Sequence, residues 1–207
     1  MTSASGVAPV TPVTHLLYLH GFRSSPQSTK ARKFAAWVAA NRPELVWCCP
    51  QLPASPAEAM RDVTDRTAAW PADRMAIIGS SLGGFYATAV AERRGCRAVL
   101  LNPGVDPARD LAAAIGATTT WHSGEPFDFR PEYVDELRAI APPATLTHLG
   151  RYFAVIAKGD EVLSWREMSE RYAGARVRLI EGSDHALSDF DEHFPAVLAF
   201  LGLGPGR

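Results

Sequence analysis

The stretch MAIIGSSLGGFYATAVAERR, residues 75–94, decides the fold of this chain. It begins with the apolar run 75–78, which is typical of a buried strand. It continues into 82–93, which is apolar almost all round, as in a buried helix. Between the two lies Gly79-Ser80-Ser81-Leu82-Gly83, which matches the pattern G-x-S-x-G. Between a strand and a helix, this pattern predicts a tight turn that raises the serine hydroxyl above the sheet, at the helix N-terminus. Ser81 is therefore the candidate nucleophile.

The sequence on either side of this stretch alternates between short apolar runs and amphipathic segments. Such alternation predicts an α/β fold, with a mostly parallel central sheet covered by helices on both faces. Together with the turn at Ser81, it predicts a compact α/β-hydrolase fold. The expected strands are 15–19, 45–49, 74–78, 97–101, 152–157 and 176–180, and the expected helices are 30–41, 56–70, 82–93, 168–172 and one at the C-terminus.

The chain has 207 residues, enough for one domain with a good core. We predict a single domain over residues 14–204, preceded by a flexible tail over 1–13 that is small, polar and proline-containing. Residues 104–151 interrupt the alternation with several prolines and glycines, and a long, mostly non-periodic insertion predicts a lid or cap. Trp121 and His122 lie in this insertion and are candidate substrate-binding residues, although its large rings fit a local core equally well.

Two further side chains complete the chemistry that a serine nucleophile needs. A serine hydroxyl requires a base to take its proton, and His185 follows the last predicted strand in the segment GSDHA. The base requires an acid to hold its tautomer, and Asp160 follows the strand 152–157 in the segment KGDE. Glu161 and Asp184 remain alternatives for the acid. The order of Ser81, Asp160 and His185 along the chain is the order that the predicted fold requires.

The loop after the first strand, His20-Gly21-Phe22, is the candidate for part of an oxyanion hole. Acyl transfer needs hydrogen-bond donors for the oxyanion of the tetrahedral intermediate. We expect the backbone N–H groups of Leu82 and Phe22 to be these donors, with Gly21 allowing close approach. His20 could contact the substrate directly, but we favour a structural role in shaping the loop.

Composition and charge exclude several other classes of protein. The formal net charge is −1, so the chain has no basic excess that would attract nucleic acid or an anionic membrane. The three cysteines include two neighbours, Cys48 and Cys49, and show neither a disulfide framework nor metal-ligand spacing. No apolar run is long enough for a transmembrane helix, and the first residues do not resemble a secretory signal. We therefore expect a cytoplasmic protein without metal or cofactor.

Four groups of segments resemble the YqiA-type bacterial esterases of the α/β-hydrolase superfamily. They are LLYLHGFRSSPQSTKA (16–31), PQLP (50–53), IIGSSLGGFYAT (77–88), and GDEVL (159–163) with EGSDHAL (181–187) and the closing FLGL (200–203). The resemblance implies an esterase for short acyl esters or thioesters that needs no cofactor, with its triad at Ser81, Asp160 and His185. The chain departs from the family at Arg23, where we expect asparagine and where a cation could favour an anionic substrate. It also departs in the 104–151 insertion.

These observations predict an enzyme that hydrolyses small-molecule esters or acyl-thioesters through an acyl-enzyme on Ser81. The same triad could serve an acyltransferase, because the nucleophile turn does not distinguish water from another acceptor. A non-catalytic binding protein that retains the fold is a further alternative, but such proteins usually lack a member of the triad, and none is missing here. No pattern indicates a nucleic-acid or membrane partner, and the sequence does not indicate an oligomeric state.

Overall fold

The structure is a computed structural model that describes residues 11–121 and 123–204. In this part of the chain, six parallel strands form the central sheet: β1 (His15–Leu19), β2 (Val46–Cys48), β3 (Met75–Ser80), β4 (Arg97–Leu101), β7 (Tyr152–Ala157) and β8 (Arg176–Ile180). They lie side by side in the order β2-β1-β3-β4-β7-β8. The α-helices are α1 (Thr29–Asn41), α2 (Pro56–Thr67), α3 (Leu82–Arg94), α4 (Pro107–Asp110), α5 (Pro131–Ile140), α6 (Trp165–Arg171) and α7 (Phe190–Leu201). The predicted α/β class and parallel sheet are confirmed.

Helices cover both faces of the sheet and divide the core in two. Side chains of a strand alternate between faces, so Leu17 and Leu19 of β1 pack with α2 and α3, whereas Leu16 and Tyr18 pack with α1 and α7. Because the central strands are buried on both sides, they are apolar over most of their length and not alternating. The carboxyl ends of these parallel strands therefore meet at one edge, where the loops carry the candidate site.

The insertion at 104–151 is more regular than the sequence indicated. Besides α4 and α5, it contains an antiparallel hairpin of β5 (Gly116–Thr119) and β6 (Pro126–Phe129). Helix α5 buries Val134 and Leu137, and Glu136 accepts hydrogen bonds from the Ser55 hydroxyl and the Ala57 N–H at the start of α2. The expectation of a mostly irregular segment was therefore wrong, because these elements are stabilised by contacts with the rest of the domain.

The predicted boundary of the N-terminal tail also moves. Val13 is buried in the core on the α1 side of the sheet, and the carbonyl oxygen of Thr11 accepts a hydrogen bond from Arg97 Nη2 at 2.7 Å. Residues 11–13 thus belong to the domain and not to a tail, because their backbone and side chains have partners there. Residues 1–10 lie outside the described part of the chain.

No helix in the described ranges has the length and hydrophobicity that crossing a bilayer requires.

Gly83 is the position where the fold tolerates a side chain least. A Cβ atom there would lie 2.0 Å from the carbonyl oxygen of Leu19 and 2.7 Å from that of His20, both backbone atoms at the end of β1. We expect Gly83→Ala to lower the free energy of unfolding by about 4 kcal/mol or more, because neither strand nor helix can move without breaking its hydrogen bonds. Urea denaturation measures this loss. Gly150→Ala is the control, since no heavy atom lies within 4 Å of its Cβ position. Equal losses for the two variants would contradict the prediction.

Candidate active site

Ser81 occupies the turn between β3 and α3 with a strained backbone. Its φ is 55° and its ψ is −122°, in a region that residues other than glycine rarely adopt. Three hydrogen bonds hold this conformation: Ser81 N–H donates to Leu101 O at 3.0 Å, and Ser81 O accepts from Gly84 N–H at 2.8 Å and from Gly104 N–H at 2.9 Å. The turn directs the hydroxyl away from the sheet and into a cavity at its carboxyl edge.

The structure brings together the three side chains that the sequence singled out. His185, in the loop after β8, lies with Nε2 3.0 Å from Ser81 Oγ and with Nδ1 2.8 Å from Asp160 Oδ2. The Asp160 side chain has no exposed surface, and its other oxygen accepts from the N–H groups of Val162 at 2.8 Å and Leu163 at 2.7 Å. A carboxylate held this firmly favours the proton on Nδ1, which leaves the Nε2 lone pair facing the serine hydroxyl.

The two alternative acids have other partners. Glu161 Oε2 accepts from the backbone N–H of His185 at 2.9 Å and so holds the loop, not the imidazole. Asp184 accepts from the N–H of Ser188 at 2.9 Å and from its hydroxyl, which lowers the pKa of the Asp184 carboxyl. Asp160 is therefore the carboxylate that the structure places against the ring.

Asn102 is a positioning residue that the sequence reasoning missed. It is fully buried just after β4, and its amide nitrogen donates to the carbonyl oxygens of Asp184 at 3.0 Å and His185 at 3.2 Å. Its amide oxygen accepts from Ala157 N–H at 2.8 Å, at the end of β7. The Asn102 side chain thus connects the loop that carries His185 to the ends of β4 and β7. No sequence pattern marks it, since a single asparagine after a strand is common in turns.

The loop after β1 approaches Ser81 closely, as the oxyanion-hole prediction requires. A Cβ on Gly21 would lie 3.2 Å from Ser81 Cβ and 3.6 Å from Ser81 Oγ, so a side chain at position 21 would crowd Ser81. Phe22 and Leu82 line the same cavity as Ser81. Leu82 opens helix α3, where the first N–H groups have no intrahelical acceptor and are available to an anion.

His20 is buried and its ring nitrogens face backbone groups. It is 3% exposed, its Nε2 accepts from Leu52 N–H at 3.0 Å, and its Nδ1 lies 3.0 Å from Gly21 O. Because an N–H group faces Nε2, the ring proton sits on Nδ1 and the imidazole fixes the loop between two backbone groups. His20 is not among the residues that line the cavity, so the expectation that it contacts substrate gains no support.

Arg23 and Trp121 connect the loop after β1 to the hairpin of β5 and β6. The Arg23 guanidinium lies 4.0 Å from the centre of the Trp121 ring, and its Nε donates to Thr119 O at 2.7 Å. The backbone N–H of Trp121 donates in turn to Arg23 O at 2.8 Å. Trp121 lines the cavity and Arg23 does not, so the predicted contact of Arg23 with an anionic substrate gains no support, and its contacts instead hold Trp121. His122 lies outside the described residues.

The other rings of the insertion form local core. Phe22 packs edge-on against Phe127 and Phe129, with ring centres 5.2 and 5.3 Å apart, and Phe129 packs against Tyr133. The sequence left open whether the rings of the insertion form local core or line the cavity. Phe127, Phe129 and Tyr133 belong to the local core, and Trp121 lines the cavity.

The cavity above Ser81 has a volume of about 440 Å³. Most of its wall is apolar and comes from Phe22, Leu82, Leu111, Trp121, Val162 and Leu163. Lys30, from the first turn of α1, lines the same cavity. Burial lowers the pKa of Lys30 to about 8, and the negative charge of Asp184 partly opposes that shift. A site of this kind can activate a hydroxyl next to backbone donors, in a mostly apolar cavity that also contains Lys30 and Asp110.

The chain matches one protein family and resembles several solved structures. The family model described as "Uncharacterised protein family (UPF0227)" matches residues 15–202. A protein from Agrobacterium vitis S4 superposes with a TM-score of 0.72 at 17% identity, covering 90% of this chain and 87% of that one. Mouse alpha/beta hydrolase domain-containing protein 10 gives 0.63 at 14% identity, covering 87% and 85%. A structure reported with the metagenome-derived lipolytic enzymes LipS and LipT gives 0.63 at 19% identity, covering 92% and 95%. At these identities the structures share the fold with this chain.

Proposed function

The chain belongs to the UPF0227 family, as the resemblance of its segments indicated, and on that premise we propose that it is a serine hydrolase that cleaves carboxylic esters or acyl-thioesters. One observation carries the proposal. Ser81 Oγ lies 3.0 Å from His185 Nε2, while Nδ1 of the same ring lies 2.8 Å from the buried carboxylate of Asp160. This is the arrangement in which an imidazole removes the proton of a serine hydroxyl as that hydroxyl attacks a carbonyl carbon.

The first half of the proposed reaction forms an acyl-enzyme. Ser81 Oγ bonds to the carbonyl carbon while its proton passes to His185 Nε2, and the carbonyl oxygen becomes an oxyanion that the N–H groups of Phe22 and Leu82 stabilise. Asp160 stabilises the imidazolium and remains ionised. The intermediate then collapses, the bond to the leaving alcohol or thiol breaks, and His185 gives the proton to the departing atom.

The second half returns the enzyme to its starting state. Water takes the place of the leaving group, His185 Nε2 removes a proton from it, and the resulting hydroxide bonds to the acyl carbon. Collapse of the second oxyanion breaks the bond to Ser81 Oγ, which regains its proton from His185. The products are a carboxylic acid and a free alcohol or thiol.

The apolar wall of the cavity supports a short acyl chain as the group bound there. A volume of about 440 Å³ suits a small ligand, and the apolar side chains would bury its methylene groups. Trp121, which is 68% exposed, lies at the mouth and would cover the part of the substrate nearest solvent. The lipolytic and hydrolase proteins that share the fold are consistent with this chemistry.

The experiment that tests the proposal is covalent labelling with a fluorophosphonate probe, which reacts with activated serines. Intact-mass and peptide analysis should find one adduct on the wild-type protein, at Ser81. Ser80→Ala is the matched control, because it removes the neighbouring hydroxyl of the same motif and should still be labelled, whereas Ser81→Ala should not. Folded wild-type protein that stays unlabelled, or that is labelled equally after Ser81→Ala, would overturn the proposal.

A further inference from the structure

Lys30 is a half-buried cation inside the candidate active-site cavity, and neither the fold nor the proposed triad accounts for it. Its ammonium donates one hydrogen bond, to the carbonyl oxygen of Ala186, the residue that follows His185. An ammonium group has three N–H donors, so two remain for other partners. Within residues 11–121 and 123–204, no carboxylate forms an ion pair with Lys30, and Asp184 acts on it only as a more distant charge.

The position of Lys30 is unfavourable for a cation unless a negative charge joins it. Lys30 is the second residue of α1, and the positive end of a helix dipole disfavours cations in the first turn. Ser28, at the N-cap position, makes no side-chain capping hydrogen bond, so the first-turn N–H groups also lack that acceptor. Burial without a counter-charge adds a further penalty. An anion bound in the cavity would offset all three.

The place of Lys30 relative to His185 indicates which end of the substrate would carry that anion. The general acid must reach the departing atom, so the leaving group lies beside His185 Nε2. The Lys30 ammonium is hydrogen-bonded to the next residue of the same loop, Ala186. The leaving group is therefore the part of the substrate that passes nearest to Lys30. Asp110, which also lines the cavity, is neutralised by Arg109 at 2.7 Å and does not repel an anion at full strength.

Building on the proposed hydrolase function, we propose that Lys30 selects esters or thioesters whose leaving alcohol or thiol carries a carboxylate a few atoms from the scissile bond. The carboxylate would accept from the two remaining N–H donors of the ammonium and from the N-terminal end of α1. Lys30 is thus a specificity-determining residue, and the hydrophobic remainder of the cavity receives the acyl chain.

The test compares two thioesters that differ only in the charge of the leaving group. S-butyryl-3-mercaptopropionate carries a carboxylate, and S-butyryl-3-mercaptopropionamide is its neutral counterpart. Thiol release gives kcat/KM for each, and the readout is the ratio of the two values. We expect wild-type protein to favour the carboxylate by about tenfold or more and Lys30→Met to bring the ratio close to one. Lys33→Met is the matched control, because Lys33 lies on the same helix but pairs with Asp191 at 2.7 Å, and it should keep the wild-type ratio.

A pH series adds a readout that a purely structural lysine would not change. Asp184, from the loop after β8, is the carboxylate whose charge acts on the ammonium. The other titratable side chains that line the cavity with Lys30 are His185 from the same loop, Asp110 from α4 and Tyr18 from β1. The same serine, histidine and aspartate act on both substrates, so a pH effect on these residues changes both kcat/KM values equally and leaves their ratio unchanged. Because the Lys30 pKa is lowered to about 8, the ammonium is charged below that pH, and the ratio should fall as the pH rises from 7 to 9.

The outcomes separate this inference from the proposed function. If the neutral thioester is cleaved and depends on Ser81, but the ratio is near one in wild type or is unchanged by Lys30→Met, the selection of an anion is wrong while the hydrolase stands. Equal losses for both substrates in Lys30→Met would assign Lys30 to positioning the histidine loop and would also overturn the inference. If folded wild-type protein cleaves neither thioester nor simple esters, the proposed function itself fails.

Discussion

Ser81→Ala is expected to lower kcat/KM for p-nitrophenyl butyrate by about 10⁴- to 10⁶-fold. The hydroxyl oxygen is the only atom of the proposed triad that bonds to the substrate, so its loss removes the acyl-enzyme route altogether. The activity that remains would come from the oxyanion donors and from binding. The measurement is release of p-nitrophenolate by purified protein over a range of substrate concentrations.

The control for this variant is its own stability. Alanine keeps the backbone atoms that hydrogen-bond to Leu101, Gly84 and Gly104, so the melting temperature should stay within a few degrees of wild type. A loss of activity with intact folding then reports on the hydroxyl alone. Wild-type and variant proteins that share one background rate would leave no basis for Ser81 as nucleophile.

Asp160→Asn is expected to lower kcat/KM by about 10⁴-fold, although it changes one atom of a buried side chain. Asparagine can present its amide N–H₂ to His185 Nδ1, which then has to accept. The ring proton moves to Nε2, facing the serine, and the imidazole can no longer act as a base. The N–H groups of Val162 and Leu163 require an acceptor, so the asparagine oxygen stays with them and its amide nitrogen faces His185 Nδ1. The side chain therefore does not rotate to restore the original tautomer.

The two neighbouring carboxylates are the matched controls for this second prediction. Glu161→Gln and Asp184→Asn keep the size of the side chains, and the groups they bind are a backbone N–H and a serine. We expect each to reduce kcat/KM by less than about tenfold, since neither touches the reacting ring. A severe loss in Glu161→Gln with a mild one in Asp160→Asn would transfer the role of acid to Glu161.

Much of the sheet could be predicted because its central strands are buried on both faces. Predicted and observed bounds coincide for the strands 15–19, 97–101 and 152–157, which are mostly apolar runs bounded by turn residues and so give a strong local signal. The bounds also coincide for the edge strand 176–180, which is mostly exposed and has the sequence RVRLI. The turn at Ser81 could also be placed, because G-x-S-x-G between a strand and a helix is a local pattern.

The hairpin and helix of the insertion were harder to predict for different reasons. Strand β5 has the sequence GATT, which is mostly exposed and shows no hydrophobic alternation, so only its pairing with β6 defines it. Helix α5 did carry a signal: Pro131 at its start is followed by apolar residues at 133, 134, 137 and 140, a helical spacing. That signal was hidden by the prolines and glycines around it.

The parts of the site that the sequence did not predict depend on tertiary contacts. Asn102 matters because three loops meet around it, and Lys30 because the first turn of α1 lines the same cavity as Ser81. A lysine in the first turn of a helix runs against the helix dipole, and this is the one local sign that could have drawn attention to it. For His20, in contrast, the place in the loop favoured a structural role, and its ring nitrogens face backbone groups.

The left-handed backbone at position 81 has an evolutionary consequence. A residue with a Cβ held there costs about 1–3 kcal/mol, which glycine would largely avoid. Selection for a more heat-resistant protein therefore favours Ser81→Gly, the change that removes the oxygen of the proposed nucleophile. Under the proposed function, thermal stability and catalytic turnover oppose each other at this position, so we expect relatives that have lost the hydrolase activity to carry glycine there.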